Sequence, residues 1–337
     1  ILVGRLDSGE HETSLPTTTS TLAGTTTQHS TTTGTHVATT TSLPRFELGS
    51  GALLDEAAGS YVVTTDGGEL VTVIDLATGD RCINRAGVGA WIPFRTGALP
   101  DRVVIGTPSG VATVDASCNI QQIDGGADGY PAAIGRNGVW TVSGTGNVLN
   151  EHRYDGAVGH HIDLPMSSGP TVVEVGGRVV VGINGSMTLV DPATRRQRDL
   201  GPGIPATAQG NRLAYSSCHL LRCALVVLDV RTGARQTIDD ERVASNSWAA
   251  AFSPDGRYIG VTAADGRAAI IDLRSEDVTW IDVAQQVIGF TGFSRWVLVT
   301  DGQRVYAVHP DGTDEHPIAS AMRNSNGSAV IFVPGDY

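Results

Sequence analysis

The sequence contains no lysine, so all 23 of its basic residues are arginine. This absence excludes two kinds of chemistry, a Schiff base on a side chain and phosphate binding by a Walker-type lysine. The arginines also form no long basic stripe, because the longest basic cluster is Arg195-Arg196-Gln197-Arg198. A nucleic-acid-binding protein needs such a stripe. We therefore interpret the cluster as a solvated turn and expect no nucleic-acid partner.

Charged residues are also scarce, at 17% of the chain, and they leave a net charge of −12. An acidic surface keeps a protein soluble and repels anionic lipids or polymers unless a cation bridges them. Two short catalytic motifs are missing, the G-x-S-x-G nucleophile elbow and the H-E-x-x-H zinc motif. What the chain does contain is an apolar fraction of 40% and 42 glycines, which is typical of a globular protein rich in turns.

The first 45 residues differ in composition from the rest. Residues 1–12 begin with Ile1-Leu2-Val3-Gly4, which is too short to span a membrane. We expect it to be the outer end of a transmembrane segment, and the alternative is a chance apolar tetrapeptide. Residues 13–45 form a threonine-rich tract with no periodic apolar face. Such a tract cannot bury enough surface to fold, and we predict a disordered stalk that precedes a globular head over residues 46–337.

The head is built from an internal repeat, in which a short apolar run ends in a polar residue and a turn follows. The ends of the runs serve as markers: Asp75, Asp115, Arg153, Asp191, Asp229, Asp272 and His309. The markers are 40, 38, 38, 38, 43 and 37 residues apart, which is the length of a four-stranded propeller blade. Seven markers predict an all-β, seven-bladed β-propeller of four-stranded antiparallel blades.

The clearest blade runs from Trp248 to Asp282. Its strands are predicted at Trp248–Phe252, Tyr258–Ala263, Ala268–Leu273 and Val278–Asp282. Valine and isoleucine dominate the apolar runs, and they suit a half-buried pleated surface. Between the first two strands, Ser253-Pro254-Asp255-Gly256 predicts a tight turn, because proline fixes φ and glycine accepts a positive φ. The head shows no helical periodicity.

The ring of blades must also close. The first blade lacks a clear inner strand of its own, unless Gly51–Leu54 supplies one. A further apolar run, Ala329–Val333, follows after the seventh blade is complete. We predict that this run joins the first blade and closes the ring, since an open strand edge favours aggregation.

Two short patterns resemble known propeller repeats. Phe252–Val261 (FSPDGRYIGV) resembles the WD40-like repeat of TolB-type propellers, and Val73–Gly79 (VIDLATG) resembles the turn of bacterial YVTN-type repeats. The head is also similar to actinobacterial membrane-anchored propellers, in which a cysteine pair precedes a V-x-x-D-x-x-T-G-A-R run. Here the matching residues are Cys218, Cys223 and Val226–Arg235. The resemblance implies a fold and an extracytoplasmic location but no reaction, and no Trp-Asp dipeptide ends a blade as in true WD40 proteins.

The four cysteines have no C-x-x-C spacing, and an even number in an exported protein favours disulfides. Cys218 and Cys223 are predicted to form a disulfide across the turn between two strands of the fifth blade. The alternative is a metal site that includes His219. Cys82 and Cys118 occupy similar positions in the first two blades. A disulfide between neighbouring outer strands is predicted for them, provided that their Cα atoms lie within ~7 Å.

The densest group of candidate metal ligands contains His152, His160 and His161, near Glu151 and Asp155. The group could bind zinc or respond to pH, or its members could be exposed side chains on outer strands of the third blade. We favour the second interpretation, because residues 160 and 161 of one strand point to opposite faces. No metal and no cofactor are predicted. The marker aspartates lie on different blades, so each is expected to accept hydrogen bonds from its own turn.

These features predict an extracytoplasmic, membrane-tethered propeller that acts as a binding, scaffold or sensor module. The expected partner is an envelope protein or a cell-wall ligand, the head is expected to be a monomer, and contact with the membrane is expected only through an N-terminal anchor. The alternative is an enzyme, such as a lactonase, lyase or glycan hydrolase, with a site in the central channel. The predicted inner strands end at Phe252-Ser253 and Phe290-Thr291 and carry few acids or histidines, which favours the binding module.

Overall fold

The structure, a computed structural model, describes residues 54, 57–65, 70–86, 102–107, 110–123, 129–165, 169–219, 222–244, 250–263, 265–302, 304–320 and 329–332. These residues contain 27 strands and one short helix. The predicted membrane-proximal segment and the predicted stalk both lie outside the described residues.

The strands follow one another along the chain with short connections. Their bounds are β1 Tyr61–Thr65, β2 Leu70–Asp75, β3 Arg81–Arg85, β4 Arg102–Thr107, β5 Gly110–Asp115, β6 Ile120–Ile123, β7 Gly129–Ile134, β8 Gly138–Ser143, β9 Val148–Arg153, β10 Val158–Asp163, β11 Thr171–Val175, β12 Arg178–Ile183, β13 Ser186–Val190, β14 Gln197–Pro202, β15 Ile204–Gln209, β16 Arg212–His219, β17 Arg222–Asp229, β18 Arg235–Ile238, β19 Ala250–Phe252, β20 Tyr258–Thr262, β21 Ala268–Asp272, β22 Val278–Ile281, β23 Gln286–Phe290, β24 Val297–Thr300, β25 Arg304–Val308, β26 His316–Ser320 and β27 Ala329–Phe332. The helix, α1, spans Glu241–Ala244 and connects β18 to β19.

Seven antiparallel sheets form the seven blades of a β-propeller, as the marker spacing predicted. Blade 1 has the strand order β27-β1-β2-β3, blade 2 contains β4 to β6 among the described residues, and blades 3 to 7 take four consecutive strands each from β7 to β26. The first strands of successive blades contact one another in the order β7, β11, β15, β19, β23 and β27. These strands therefore form the inner ring around the centre of the propeller.

The apolar core lies between neighbouring blades. Val226 of β17 shares a buried cluster with Met187 of blade 4, whereas the next residue, Val227, shares one with Ile259 of blade 6. This division follows from the pleat, because successive side chains of a strand point to opposite faces of the sheet. Each blade is thus stabilised from both sides by its neighbours.

The ends of the strands define two faces of the ring. The lower face carries the turns between first and second strands and between third and fourth strands. The upper face carries the turns between second and third strands and the connections between blades. Each marker residue lies at the lower face, where the third strand of its blade ends or one residue beyond: Asp75, Asp115, Arg153, Asp191, Asp229, Asp272 and His309.

Hydrogen bonds connect neighbouring blades at the lower face, near the inner ring. The bonds run from donor to acceptor as follows: Gln209 Nε2 to Ser253 O (2.7 Å), Asp255 N to Ser294 Oγ (3.3 Å) and Gly292 N to Ser60 Oγ (3.2 Å). Ser60 and Ser253 are fully buried. The polar groups of this face are therefore largely used to join blade 5 to 6, 6 to 7 and 7 to 1.

The C-terminal strand closes the ring, as predicted. β27 pairs antiparallel with β1, with Tyr61 opposite Phe332, and so supplies the inner strand of blade 1. The buried side chains of Val62 and Val63 lie on β1 next to this pairing. The other candidate for the inner strand, Gly51–Leu54, is not needed: Leu54 lies outside any strand, and residues 51–53 are outside the described residues.

The described residues also contain one short helix, α1, although the sequence shows no helical periodicity. Its four residues are too few to produce a helical period in the sequence. The described residues contain no helix that is long and apolar enough to cross a membrane. The strand predictions for blade 6 were correct to within one or two residues, except that Trp248 lies outside the described residues.

We expect the chain to depend on β27 for its stability. A chain truncated after Gly327 leaves the inner edge of β1 unpaired and exposes Val62 and Val63, which lowers the free energy of unfolding by at least about 3 kcal/mol. A synthetic peptide of residues 327–337 restores the melting temperature and a scrambled peptide does not, as measured by circular dichroism. An unchanged melting temperature after truncation would contradict the role of β27 in ring closure.

Candidate functional site

The strands β16 and β17 are longer than the second and third strands of the other blades. Each of these strands has eight residues, whereas the second and third strands of the other blades have four to six. The pairing of β16 with β17 starts at the lower face, where Arg212 lies opposite Asp229. The equivalent pair of blade 6, Tyr258 and Asp272, also starts at the lower face, so the additional pairs of blade 5 lie at the upper face. At a rise of ~3.3 Å per residue, two additional pairs extend the hairpin by about 7 Å.

A disulfide between Cys218 and Cys223 crosses this extension, and the two residues lie opposite each other with Cα atoms 4.0 Å apart. We term β16 and β17 with this bond the stapled hairpin. Because the two sulfur atoms are bonded to each other, neither is available as a thiolate ligand. The alternative interpretation of Cys218, His219 and Cys223 as a metal site is therefore wrong.

The two sides of the stapled hairpin have different surroundings. On the side toward blade 6, Val243 of α1 is fully buried and packs in one cluster with Leu225 and Val227 of β17. On the side toward blade 4, a cleft of about 320 Å³ opens beside the hairpin and β18. Helix α1 thus covers one side, and the other side stays accessible.

The blade 5 cleft, as we term it, combines an apolar floor with a polar rim. Tyr215 and Val226 belong to the floor and are 2% and 5% exposed. The rim carries polar side chains from two strands, β16 and β18, and from the residue after β18: Ser217, Thr237, Arg235 and Asp239. Arg235 donates a long hydrogen bond of 3.5 Å to the carbonyl oxygen of Leu200 in blade 4.

Most polar side chains of this cleft are not used by the protein. Tyr215, Ser217, Thr237 and Asp239 have no side-chain hydrogen bond or ion pair within the part of the chain that the structure describes. The Tyr215 side chain is largely buried, but its hydroxyl oxygen is not among the buried atoms without a partner, so it reaches the cleft. The cleft therefore presents hydroxyl and carboxylate groups that are free to bind a ligand.

The second predicted disulfide joins two blades. Cys82 of β3 is bonded to Cys118 with a Cα distance of 6.0 Å. Cys118 lies in the turn before β6 and not on an outer strand as predicted, and Asn84 Nδ2 donates a 2.7 Å hydrogen bond to its carbonyl oxygen. Two disulfides suggest an extracellular or otherwise oxidising environment, and a propeller with disulfides suggests an extracellular binding module.

The histidines of blade 3 do not converge. His160 Nδ1 lies 2.6 Å from Glu151 Oε2, and the Glu151 side chain is only 5% exposed. His152 Nε2 lies 2.8 Å from Thr141 Oγ1, and His161 is exposed. His160 and His161 are exposed, as expected, whereas His152 on β9 is half-buried. No three His, Cys, Asp or Glu side chains of the described residues lie close enough to hold a metal ion.

Within the described residues, the inner strands carry one carboxylate side chain, Glu174 of β11. Glu174 Oε2 accepts a 2.9 Å hydrogen bond from the indole Nε1 of Trp140, and Oε1 accepts one of 2.9 Å from the backbone N–H of Arg136. A Cβ atom at Gly135 would overlap with this carboxylate, so a larger residue there would displace the Glu174 side chain. Both carboxylate oxygens join blade 4 to blade 3, which is a structural role.

The marker aspartates stabilise their own turns, as predicted. Asp191 Oδ1 accepts backbone hydrogen bonds of 3.1 and 3.0 Å from Ala193 and Thr194, and Asp229 Oδ1 accepts the equivalent bonds from Arg231 and Thr232. The backbone N–H of Thr194 lowers the pKa of Asp191. These carboxylates are separate features of the lower face, one for each blade.

The blade 5 cleft was not found from the sequence. Tyr215, Arg235 and Asp239 are ordinary residues of strands and turns when read along the chain, and no motif connects them. The step from Asp229 to Asp272 is the longest between markers, and this excess length was the available signal for an insertion at the upper face, where α1 lies.

Comparisons with solved structures extend to the fold alone. TolB from Acinetobacter baumannii is 13% identical with a TM-score of 0.48, and the match covers 82% of this chain and 83% of that chain. Apo AztD from Citrobacter koseri is 12% identical with a TM-score of 0.49, covering 81% and 98%. KlHsv2 with loop 6CD replaced by a Gly-Ser linker is 8% identical with a TM-score of 0.52, covering 64% and 76%. No protein-family model and no curated protein sequence matches the chain.

The two disulfides are expected to differ in their contribution to stability. Cys82 and Cys118 are 36 residues apart, and Cys218 and Cys223 are 5 residues apart. In the loop-entropy model, replacing the first pair with serine costs about 4 kcal/mol and replacing the second about 2 kcal/mol. Urea unfolding of the two double variants without reductant measures both values. Equal losses would contradict this explanation.

Glu174 is expected to act on stability through Trp140, which is only 1% exposed. The substitution Glu174→Ala removes the acceptor of a buried indole N–H and lowers the free energy of unfolding by about 1–3 kcal/mol. Glu174→Gln retains a side-chain oxygen and is expected to cost less. Thermal unfolding followed by tryptophan fluorescence distinguishes the two variants, and an equal effect would indicate that the carboxylate charge matters more than the hydrogen bond.

Proposed function

We propose that this propeller is an extracytoplasmic, membrane-tethered binding module, and that it recognises an envelope protein or a cell-wall ligand with its upper face. The site of recognition is the stapled hairpin together with the blade 5 cleft. In this proposal the head is a monomer that holds its partner without chemical change, and the residues before the propeller connect it to the membrane.

The observation that carries the proposal is the additional length of the stapled hairpin at the upper face. The Cys218–Cys223 bond fixes the end of the hairpin, and α1 supports one of its sides through Val243. A binding element that is rigid before it meets its partner loses little conformational entropy on association. An extension of this kind serves recognition better than stability, because it adds little to the core between blades.

The polar groups of the two faces are used differently, and this difference supports the same proposal. At the lower face, Gln209, Ser294 and Ser60 are engaged in hydrogen bonds between blades. At the upper face, the side chains of Ser217 and Asp239 in the blade 5 cleft have no such use within the described residues. Binding residues of rigid scaffolds are found disproportionately on such loops and strand ends. The net charge of −12 favours a neutral or basic partner over an anionic polymer.

The test is a crosslinking pull-down with the full chain as bait and envelope extract of the source cells as the sample. The wild-type protein is compared with Cys218→Ser/Cys223→Ser, in which the hairpin is no longer fixed. We expect one saturable partner, and capture by the variant reduced about fivefold, because ordering a loosened hairpin costs roughly 1 kcal/mol.

The matched control is Cys82→Ser/Cys118→Ser, which also lacks one disulfide but leaves the stapled hairpin intact. Its capture of the partner should equal that of the wild type. Equal capture by all three proteins would place recognition elsewhere on the ring. No saturable capture together with a rise in melting temperature on addition of zinc or calcium would favour the enzyme alternative over the binding module.

A further inference from the structure

We propose that the blade 5 cleft binds a neutral saccharide, as one sugar unit of a glycan. This inference rests on the proposed function and assigns the chemical class of its ligand. The cleft is the place where the open side of the stapled hairpin meets β18, and its volume of about 320 Å³ is at the lower end of the range for small-molecule sites.

The polar rim matches the hydrogen-bonding pattern of a sugar. A sugar hydroxyl group both donates and accepts, so its site needs acceptors, donors and groups that do both. Asp239 supplies an acceptor, Arg235 supplies donors, and the hydroxyl groups of Ser217, Thr237 and Tyr215 supply both. An acyl chain would leave these groups unpaired, and a peptide backbone has no group that both donates and accepts.

The charge of the cleft indicates a neutral ligand. Arg235 and Asp239 are the two charged side chains that line it, so its formal charge is zero. An anionic ligand would meet the carboxylate of Asp239 on a molecule that already carries a net charge of −12. A cationic ligand would meet Arg235.

The floor of the cleft suits the carbon-bound face of a sugar ring. Val226 and the ring of Tyr215 are buried there, and the Cys223 sulfur of the disulfide lies at one end. Although most of the Tyr215 side chain is buried, its hydroxyl group reaches the cleft, where it would bind a sugar hydroxyl. Because the cleft is shallow, a Kd on the order of 1 mM is expected for one sugar unit.

The experiment is saturation-transfer difference NMR on the full chain with single probes: glucose, galactose, mannose, arabinose, N-acetylglucosamine and, as a non-sugar, tetra-alanine. We expect saturable binding of at least one sugar. Asp239→Asn removes a charged acceptor and is expected to weaken that binding about tenfold. Ser217→Ala is a second variant, with a smaller expected loss, and it does not alter the charge of the cleft.

The matched control is Asp282→Asn. Asp282 is exposed and follows β22 of blade 6 as Asp239 follows β18 of blade 5. This variant should bind the sugar as the wild type does. The inference is overturned if no sugar binds, if tetra-alanine alone binds, or if Asp239→Asn and Asp282→Asn behave alike. A saturable protein partner in the pull-down without any sugar binding would overturn the saccharide inference and leave the binding module standing.

Discussion

The pairing of β27 with β1 is the interaction on which the propeller depends. Every core cluster lies between two blades, so a blade is stable only when both neighbours are in place. Without β27, blade 1 would have no inner strand to pack against blade 7, and the row of blades would end at an open edge. Four residues near the end of the chain thus convert seven small sheets, each too small to be stable alone, into one cooperative unit.

Closure also explains why the two faces of the ring differ. Bonds between blades recur near the inner ring at the lower face, for example from Gln209 to Ser253 and from Trp140 to Glu174. A substitution there disturbs two blades at once. Within the part of the chain that the structure describes, the upper face carries fewer such bonds, so β16 and β17 could lengthen and α1 could be inserted without a change in the ring. Blade 5 is therefore longer than the other blades at the upper face, where fewer bonds between blades restrict its length.

Much of the fold could be predicted from the sequence, and little of the site could. The markers from Asp75 to His309 repeat at the blade length, and the four residues between Cys218 and Cys223 fit a hairpin turn, so both features are local or periodic. The blade 5 cleft is neither. Tyr215, Arg235 and Asp239 come together only because three strands with a particular register lie side by side, and their polarity is ordinary for a surface. The bond between Glu174 and Trp140 was equally hidden, since it joins residues almost one blade apart.

The Cys82–Cys118 disulfide decides where the ring can open. Blade 1 has two neighbours: it is joined to blade 7 by non-covalent packing and the Gly292–Ser60 hydrogen bond, and to blade 2 by a covalent bond as well. Local opening of a native protein follows its weakest junction. The disulfide removes the junction of blades 1 and 2 from the possible openings, so blade 1 stays attached to blade 2 while it separates from blade 7. An opened ring then keeps its first two blades in register. Fewer arrangements of the separated blades are possible, and the ring closes again more readily.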